Sequence, residues 1–253
     1  MTMQEQQVID LLKAIETGAA EPVAVINPEK YTQHNLSAVD GLQGFGALLA
    51  ALPKGSAKVD TIRVFQDGDY VVAHTDYNFF GPKIGFDIFR FENGRIVEHW
   101  DNLQETAGPN SSGHSMTDGP TEATDLNKTA SNKALVAAFV DGILVNGRME
   151  QLGTYIEGDA YTQHNPHIAD GLSGLDEALK AMAAAGLTVK YDKVHQVLGK
   201  GNFVLTVSEG SFAGKHTSFY DLFRVQDSKI VEHWDTIEAI PAQSEWKNQN
   251  GKF

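Results

Sequence analysis

The chain has 253 residues, no cysteine, 33 acidic against 20 basic side chains and a formal charge of -13. The missing cysteine excludes disulfides, thiolate metal sites and a cysteine nucleophile. So acidic a chain, with no Lys/Arg cluster, repels phosphate backbones and argues against nucleic-acid binding. No apolar run approaches the roughly 20 residues of a membrane span, so no membrane partner is expected. The opening MTMQEQQVIDLLKAIETG lacks the basic and apolar regions of a secretory leader, which fits a cytoplasmic protein.

Val8, Ile9, Leu11, Leu12 and Ile15 form one apolar stripe and predict a first helix. Y31-T-Q-H-N35 follows, then D40-G-L-Q-G44. Asp40, like Asp170 further along the chain, is expected to cap the helix that follows it; the stripe of the helix after Asp40 is Phe45, Leu48, Leu49 and Leu52. Strands are expected near 57–67, 69–80, 84–92 and 95–104, broken by D67-G68, G81-P82 and N93-G94. The stretch 106–124 is rich in Ser, Thr, Gly and Pro. It is expected to be a flexible linker with almost nothing to bury and a solvated His114.

The series then repeats. YTQHN returns at 161–165, D-G-L-x-G at 170–174, D-[IL]-F-R at 87–90 and 221–224, and IVEHWD at 96–101 and 230–235. Leu135, Val136, Phe139 and Ile143 mirror the first helix, and Leu175, Ala178, Leu179 and Met182 the second. Strands are expected near 188–199, 202–213, 216–226 and 229–238. This is a tandem duplication of a domain-sized unit. The expected organisation is a first domain over 1–105, a linker over 106–125, a second domain over 126–245 and a tail over 246–253. Helices followed by an antiparallel meander predict an α+β class.

The hairpin at Asn93-Gly94 decides which residues share a face. A two-residue loop pairs Asp87 with Trp100. A three-residue loop, closed by Gly94 in a bulge, pairs Asp87 with His99 and is the preferred reading. Asp87, Phe89, Val97, His99 and Asp101 then share one face. Arg90, Glu98 and Trp100 share the other, with Arg90 and Glu98 as a cross-strand ion pair. Asp221, Phe223, His233 and Asp235 repeat the first set. Two carboxylates and an imidazole in a partly dry pocket shift one another's pKa and equip it to move a proton at carbon beside a carbonyl. An alternative is that the histidine only tethers two strands. Tyr31, His34 and Asn35, with Tyr161, His164 and Asn165, are expected at the pocket mouth, binding a polar substrate oxygen.

These motifs in this order resemble the SnoaL-like polyketide cyclase group of the nuclear transport factor two-like superfamily, which includes ketosteroid isomerases. The resemblance covers nearly all of each unit. It implies two cone-shaped, cystatin-like domains, each a curved, mostly antiparallel sheet wrapped on helices around a pocket. It also implies cofactor-free chemistry, an aldol condensation closing a ring or an isomerisation, with Asp101 and Asp235 as acid/base. Asp87, Asp221, His99 and His233 would assist, and His34 and His164 would line the pocket. The implied substrate is an apolar or aromatic small carbonyl compound. The duplication implies an intramolecular pseudo-dimer through the faces bearing Trp100 and Trp234, with room for further homo-oligomers. The alternative is a non-catalytic binding or assembly module of the same fold. A metal set of His34, His99 and a carboxylate lacks any H-x-H or H-x-x-x-H spacing, so no metal and no cofactor are expected.

Overall fold

The structure is a computed structural model that describes residues 1–52 and 55–253. The chain divides into two compact units: residues 1–105 with 241–253, and residues 106–240. Both are α+β, each with one five-stranded mixed sheet.

In the first unit, helix α1 spans Met3–Thr17. Thr2 and Glu5 form a reciprocal capping box at its start, and Gly18, at φ 70, ends it. Its stripe of Val8, Leu11, Leu12 and Ile15 is buried in a core with Val71, Ala73, Phe89 and Phe91 from the inner face of the sheet. Each such side chain contributes about 1.5–3 kcal/mol by leaving water. The other elements are β1 (Thr32–Gln33), α2 (Leu42–Ala51), β2 (Lys58–Asp67), β3 (Tyr70–Asn78), β4 (Pro82–Glu92) and β5 (Arg95–Glu105). The sheet order is β1-β5-β4-β3-β2, with β1 parallel to β5 and the other pairs antiparallel.

The second unit repeats the plan. It has α3 (Thr129–Phe139), which runs into a π-helical turn over Val140–Val145, then α4 (Leu152–Tyr155) and β6 (Thr162–Gln163). Next come α5 (Gly171–Ala184), β7 (Val189–Lys200), β8 (Phe203–Phe212), β9 (Lys215–Gln226) and β10 (Lys229–Ala239). The order β6-β10-β9-β8-β7 matches the first sheet. Among the described residues, no helix is long and apolar enough to cross a membrane.

The hairpin register differs from the three-residue reading. Asn93 and Gly94 have φ of 52 and 76, a two-residue loop that pairs Glu92 with Arg95. Phe91 pairs with Ile96, Val97 is then passed over as a bulge, and Arg90 pairs with Glu98. Asp87 therefore opposes Asp101 rather than His99, and Phe89 opposes His99. The bulge moves the register by one residue, which returns Asp87, His99 and Asp101 to one face. The expected face survives although the expected loop does not. The Arg90–Glu98 pair forms, at 2.6 Å.

The second hairpin copies this geometry with Asp227 and Ser228 at φ 49 and 61. Ser228 carries a Cβ in the left-handed region, where Gly94 carries none. Ser228→Gly is expected to stabilise the second unit by roughly 0.5 kcal/mol, the relieved strain exceeding the added chain entropy of the unfolded state. Thermal unfolding checks the sign.

Two expectations about the connecting segments are corrected. The segment 106–125 packs within the second unit: Asn110 and Met116 are buried. The Asn110 amide donates to the carbonyls of Gln163 (2.6 Å) and Ile168 (3.0 Å), while its oxygen accepts from the backbone of Ser112 and His114. The tail does the same in the first unit. Asn248 donates to the carbonyls of Asn35 (2.8 Å) and Ala38 (3.0 Å) and accepts from Asn250 N–H. N110-S-S-G113 and N248-Q-N-G251 are thus a further repeated motif. A count of apolar residues misses it because the fastening is done by one amide side chain. His114 is not simply solvated but sits between Asp118 (3.3 Å) and Asp170 (3.2 Å).

Candidate functional site

The short strand β1 sets the site of the first unit. Its partner register is Gln33 with His99, so side chains at 31, 33 and 35 point to the inner face and those at 32 and 34 away from it. The same holds for β6, where Gln163 pairs with His233. Asp170 stands at the N-cap position of α5 and Gly41, not Asp40, at that of α2, but neither aspartate makes a side-chain cap; each accepts the backbone N–H of Gln33 (2.8 Å) or Gln163 (2.9 Å) and so fixes the strand.

On the inner face of the second unit, His233 Nε2 lies 3.0 Å from Asp221 Oδ1 and Nδ1 lies 3.0 Å from Gln163 Oε1. That amide oxygen also accepts Asn165 N–H at 2.9 Å, which identifies it as the oxygen end of the amide. Nδ1 must therefore carry a hydrogen. The proton between Nε2 and Asp221 is then shared, as imidazolium with carboxylate or imidazole with acid. Asn165 donates to Asp235 Oδ2 at 2.7 Å, and Asp235 Oδ1, though buried, has no hydrogen-bond partner among the described residues. Phe223 stacks on His233 at 4.8 Å.

The first unit holds the same set. His99 bonds Gln33 (2.9 Å) and Asp87 (3.0 Å), Asn35 donates to Asp101, and Phe89 stacks on His99 at 4.5 Å. Asp101 Oδ1, like Asp235 Oδ1, is buried without a hydrogen-bond partner among the described residues, but here buried Lys252 of the tail stands 3.6 Å away.

Gln33 and Gln163 were not among the expected site residues. Their signal was present, since both sit inside YTQHN on the parity of Tyr and Asn. His34 and His164, expected at the pocket mouth, are on the opposite face. His34 stacks on Trp100 at 4.7 Å and bonds the Gly251 carbonyl and Glu98. His164 stacks on Trp234 at 4.6 Å and bonds Glu232. Strand alternation is the reason, and it also prevents His34 and His99 from sharing a metal.

A cavity of about 520 Å³ opens onto the second set. Leu175, Met182, Phe212 and Ile237 are among its apolar walls; Tyr161, Asn165, Tyr191, Asp221, His233 and Asp235 form its polar end. Leu179, Leu187 and Val189 line it while remaining exposed, which marks the mouth. At corresponding places in the first unit, Phe45 and Tyr77 are core residues, and Leu49, Leu52, Phe79 and Leu103 pack against that core. The tyrosines have changed strands. Tyr77 on β3 donates to Asp87 at 2.7 Å, opposite Val59; Tyr191 on β7 reaches Asp221 at 3.2 Å, opposite Gly210. A phenol meets the same carboxylate from two positions, and the exchange goes with different packing above the sheet.

Burial raises the Asp235 carboxyl above its usual 3.8, and the charge of Asp221 adds to this; His233, Asn165 and His167 offset part of it. Burial alone would lower His233, but the Asp221 hydrogen bond and the charges of Asp235 and Asp221 outweigh it, so His233 is raised above 6.5. Burial also raises Asp87, against the pull of His99 and Tyr77. Burial and the charges of Asp235 and Asp221 raise the Tyr161 phenol, which stays protonated. The arrangement can hold a base, a shared proton and a phenolic donor at the closed end of an apolar cavity.

No protein-family model matches the chain, and no curated protein does. Solved structures similar to it include TsrD from Streptomyces laurentii, at 20% identity and TM-score 0.35, covering 41% of this chain and 91% of that one. An NTF2-like protein of unknown function from Cytophaga hutchinsonii matches at 13% identity and TM-score 0.35, covering 41% and 92%. An LEH-like epoxide hydrolase from M. tuberculosis matches at 22% identity and TM-score 0.35, covering 44% and 85%.

Proposed function

We propose that the second unit performs cofactor-free acid/base chemistry on a small apolar or aromatic carbonyl compound, with Asp235 as the base. The observation that carries this is Asp235 Oδ1, a buried carboxylate oxygen without a hydrogen-bond partner among the described residues, at the polar end of an otherwise apolar cavity. A buried group left so costs stability; Asp101 Oδ1 shares this cost, but of the two only Asp235 lines an open cavity that a substrate could enter. Asp235 takes a proton from carbon beside the carbonyl. The electron pair moves to the carbonyl oxygen, and the Tyr161 hydroxyl donates to the resulting enolate. The enolate carbon then attacks a second carbonyl of the same substrate, whose oxygen takes the proton back from Asp235, or Asp235 returns the proton to another carbon of the delocalised enolate. The first reaction is an aldol ring closure and the second an isomerisation. Asp221 and His233 hold the shared proton beside the base.

The first unit is proposed to be silent, because Tyr77, Phe45 and Leu103 pack where the second unit is open and Lys252 faces Asp101. The test is substrate-independent: α-hydrogen exchange of small cyclic and aromatic ketones in D2O, followed by proton NMR. Protein-dependent exchange is expected. Ketones that bind but show no exchange would leave the cavity as a binding site without chemistry.

A further inference from the structure

A second polar cluster lies on the opposite face of the second unit, away from the cavity. His114 Nδ1 is 3.3 Å from Asp118 Oδ2, and His164 Nδ1 is 2.8 Å from Asp118 Oδ1. One donor atom from each of the three residues lies within 4.8 Å of the others. The Ser115 carbonyl, 2.8 Å from His164 Nδ1, adds another oxygen.

The far nitrogen of each ring is held by a further carboxylate. His114 Nε2 bonds Asp170 at 3.2 Å and His164 Nε2 bonds Glu232 at 2.9 Å. A carboxylate behind an imidazole fixes the ring and makes its other nitrogen a better ligand. Arg224 grips Glu232 in turn, and Trp234 lies flat on His164, so that ring is held in place. The 114–118 strap is also fixed: Trp234 Nε1 donates to the Asp118 carbonyl at 2.9 Å. Gly119, at φ 92, passes where a Cβ would come within 2.5 Å of Glu232.

We propose that His114, His164 and Asp118, with the Ser115 carbonyl, form a structural site for one zinc-like divalent cation. Two imidazole nitrogens and two oxygens suit a closed four-coordinate zinc site. Its ligands come from the strap and from the loop after β6, so the ion fastens the strap to the sheet and takes no part in cavity chemistry. Among the described residues, the first unit offers no equivalent at the corresponding place. His34, at the place of His164, meets the Gly251 carbonyl and Glu98, and the tail WKNQNGKF contains no His, Asp or Glu.

The experiment titrates the full-length protein with zinc by calorimetry, and with cobalt by visible absorption, at neutral pH. One ion per chain is expected, with the absorption of tetrahedral cobalt and a rise in melting temperature on adding zinc. His114→Gln and Asp118→Asn, both at partly exposed side chains, should each lower affinity more than tenfold. Asp170→Asn keeps the oxygen that accepts Gln163 N–H and should lower affinity roughly 10- to 100-fold. Asp221→Asn should bind as the parent does. Absence of binding at millimolar zinc, binding that survives both His114→Gln and Asp118→Asn, or binding lost only in Asp221→Asn would each overturn the proposal. Circular dichroism of each variant separates lost binding from lost folding.

Discussion

Asp235→Asn is expected to slow α-hydrogen exchange by ~10²- to 10⁴-fold, the span over which a positioned general base acts. The matching Asp101→Asn is expected to change it less than about twofold, in keeping with the general-base account, because the first unit is proposed to be silent. The stability of Asp235→Asn carries equal weight. Burial raises the Asp235 pKa, so the native state resists ionising it. Its stabilising contribution is full below the ordinary carboxylate value of 3.8 and is lost as pH rises through its raised value. His233 is raised as well, so its contribution is full below 6.5 and is also lost with rising pH. Asn cannot ionise and keeps an oxygen for Asn165, so at neutral pH the variant should melt higher than the parent while losing exchange. A residue that merely tied two strands together would behave oppositely, with lower stability on substitution. Joint measurement of exchange rate and melting temperature therefore separates a base from a tether.

The same raised pKa places the acidic limb of the rate. Exchange should rise with pH as Asp235 ionises, with a midpoint above 3.8. A pH–rate profile whose acidic limb lies at or below 3.8 would remove Asp235 from the role.

The α+β layout was legible because both signals are local. Apolar residues at helical spacing mark α1 and α2, and turn residues mark the hairpins. The duplication added a check, since each element is written twice. The grouping of Asp87, His99 and Asp101 on one face was also legible, but through a compensation. The bulge at Val97 adds one residue to a two-residue loop, and parity within β5 is kept. A bulge has little sequence signature of its own, so the loop type was misread. The two-residue strands β1 and β6 were missed because Thr-Gln is too short to show period-two patterning. That omission turned His34 and His164 toward the pocket in the sequence reading and left Gln33 and Gln163 out of it. Side-chain capping by Asp40 and Asp170 is absent for the same reason, since their acceptors serve the backbone of those short strands. The open cavity of the second unit and the core packing of the first rest on exchanges such as Tyr77 against Gly210. Neither residue says by itself how much space it leaves.

Gln163→Leu is expected to be severely damaging to the second unit. The Gln163 oxygen accepts Asn165 N–H and His233 Nδ1–H, and both donors are buried. His164 N–H also touches it but keeps its strand partner, the His233 carbonyl. Leucine has nearly the right volume and no acceptor, so two buried donors lose their partners. At about 1–3 kcal/mol each, the loss is on the order of 4 kcal/mol, a large share of the total stability of a domain. The chemistry would fail along with the fold. Without an acceptor at Nδ1, the ring is free to place its proton on Nε2 alone, and the shared proton with Asp221 is no longer enforced. Gln163→Glu separates these effects. It keeps an oxygen acceptor for both donors, so the fold should survive, and its charge should hold His233 as imidazolium to higher pH. Thermal unfolding should rank parent and Glu variant well above the Leu variant. Nitrogen-15 shifts of His233 should show a protonated Nδ1 in the parent and titration displaced upward in the Glu variant. If Gln163→Leu melts with the parent, the amide oxygen is not what sets the histidine, and the shared proton between His233 and Asp221 loses its physical basis.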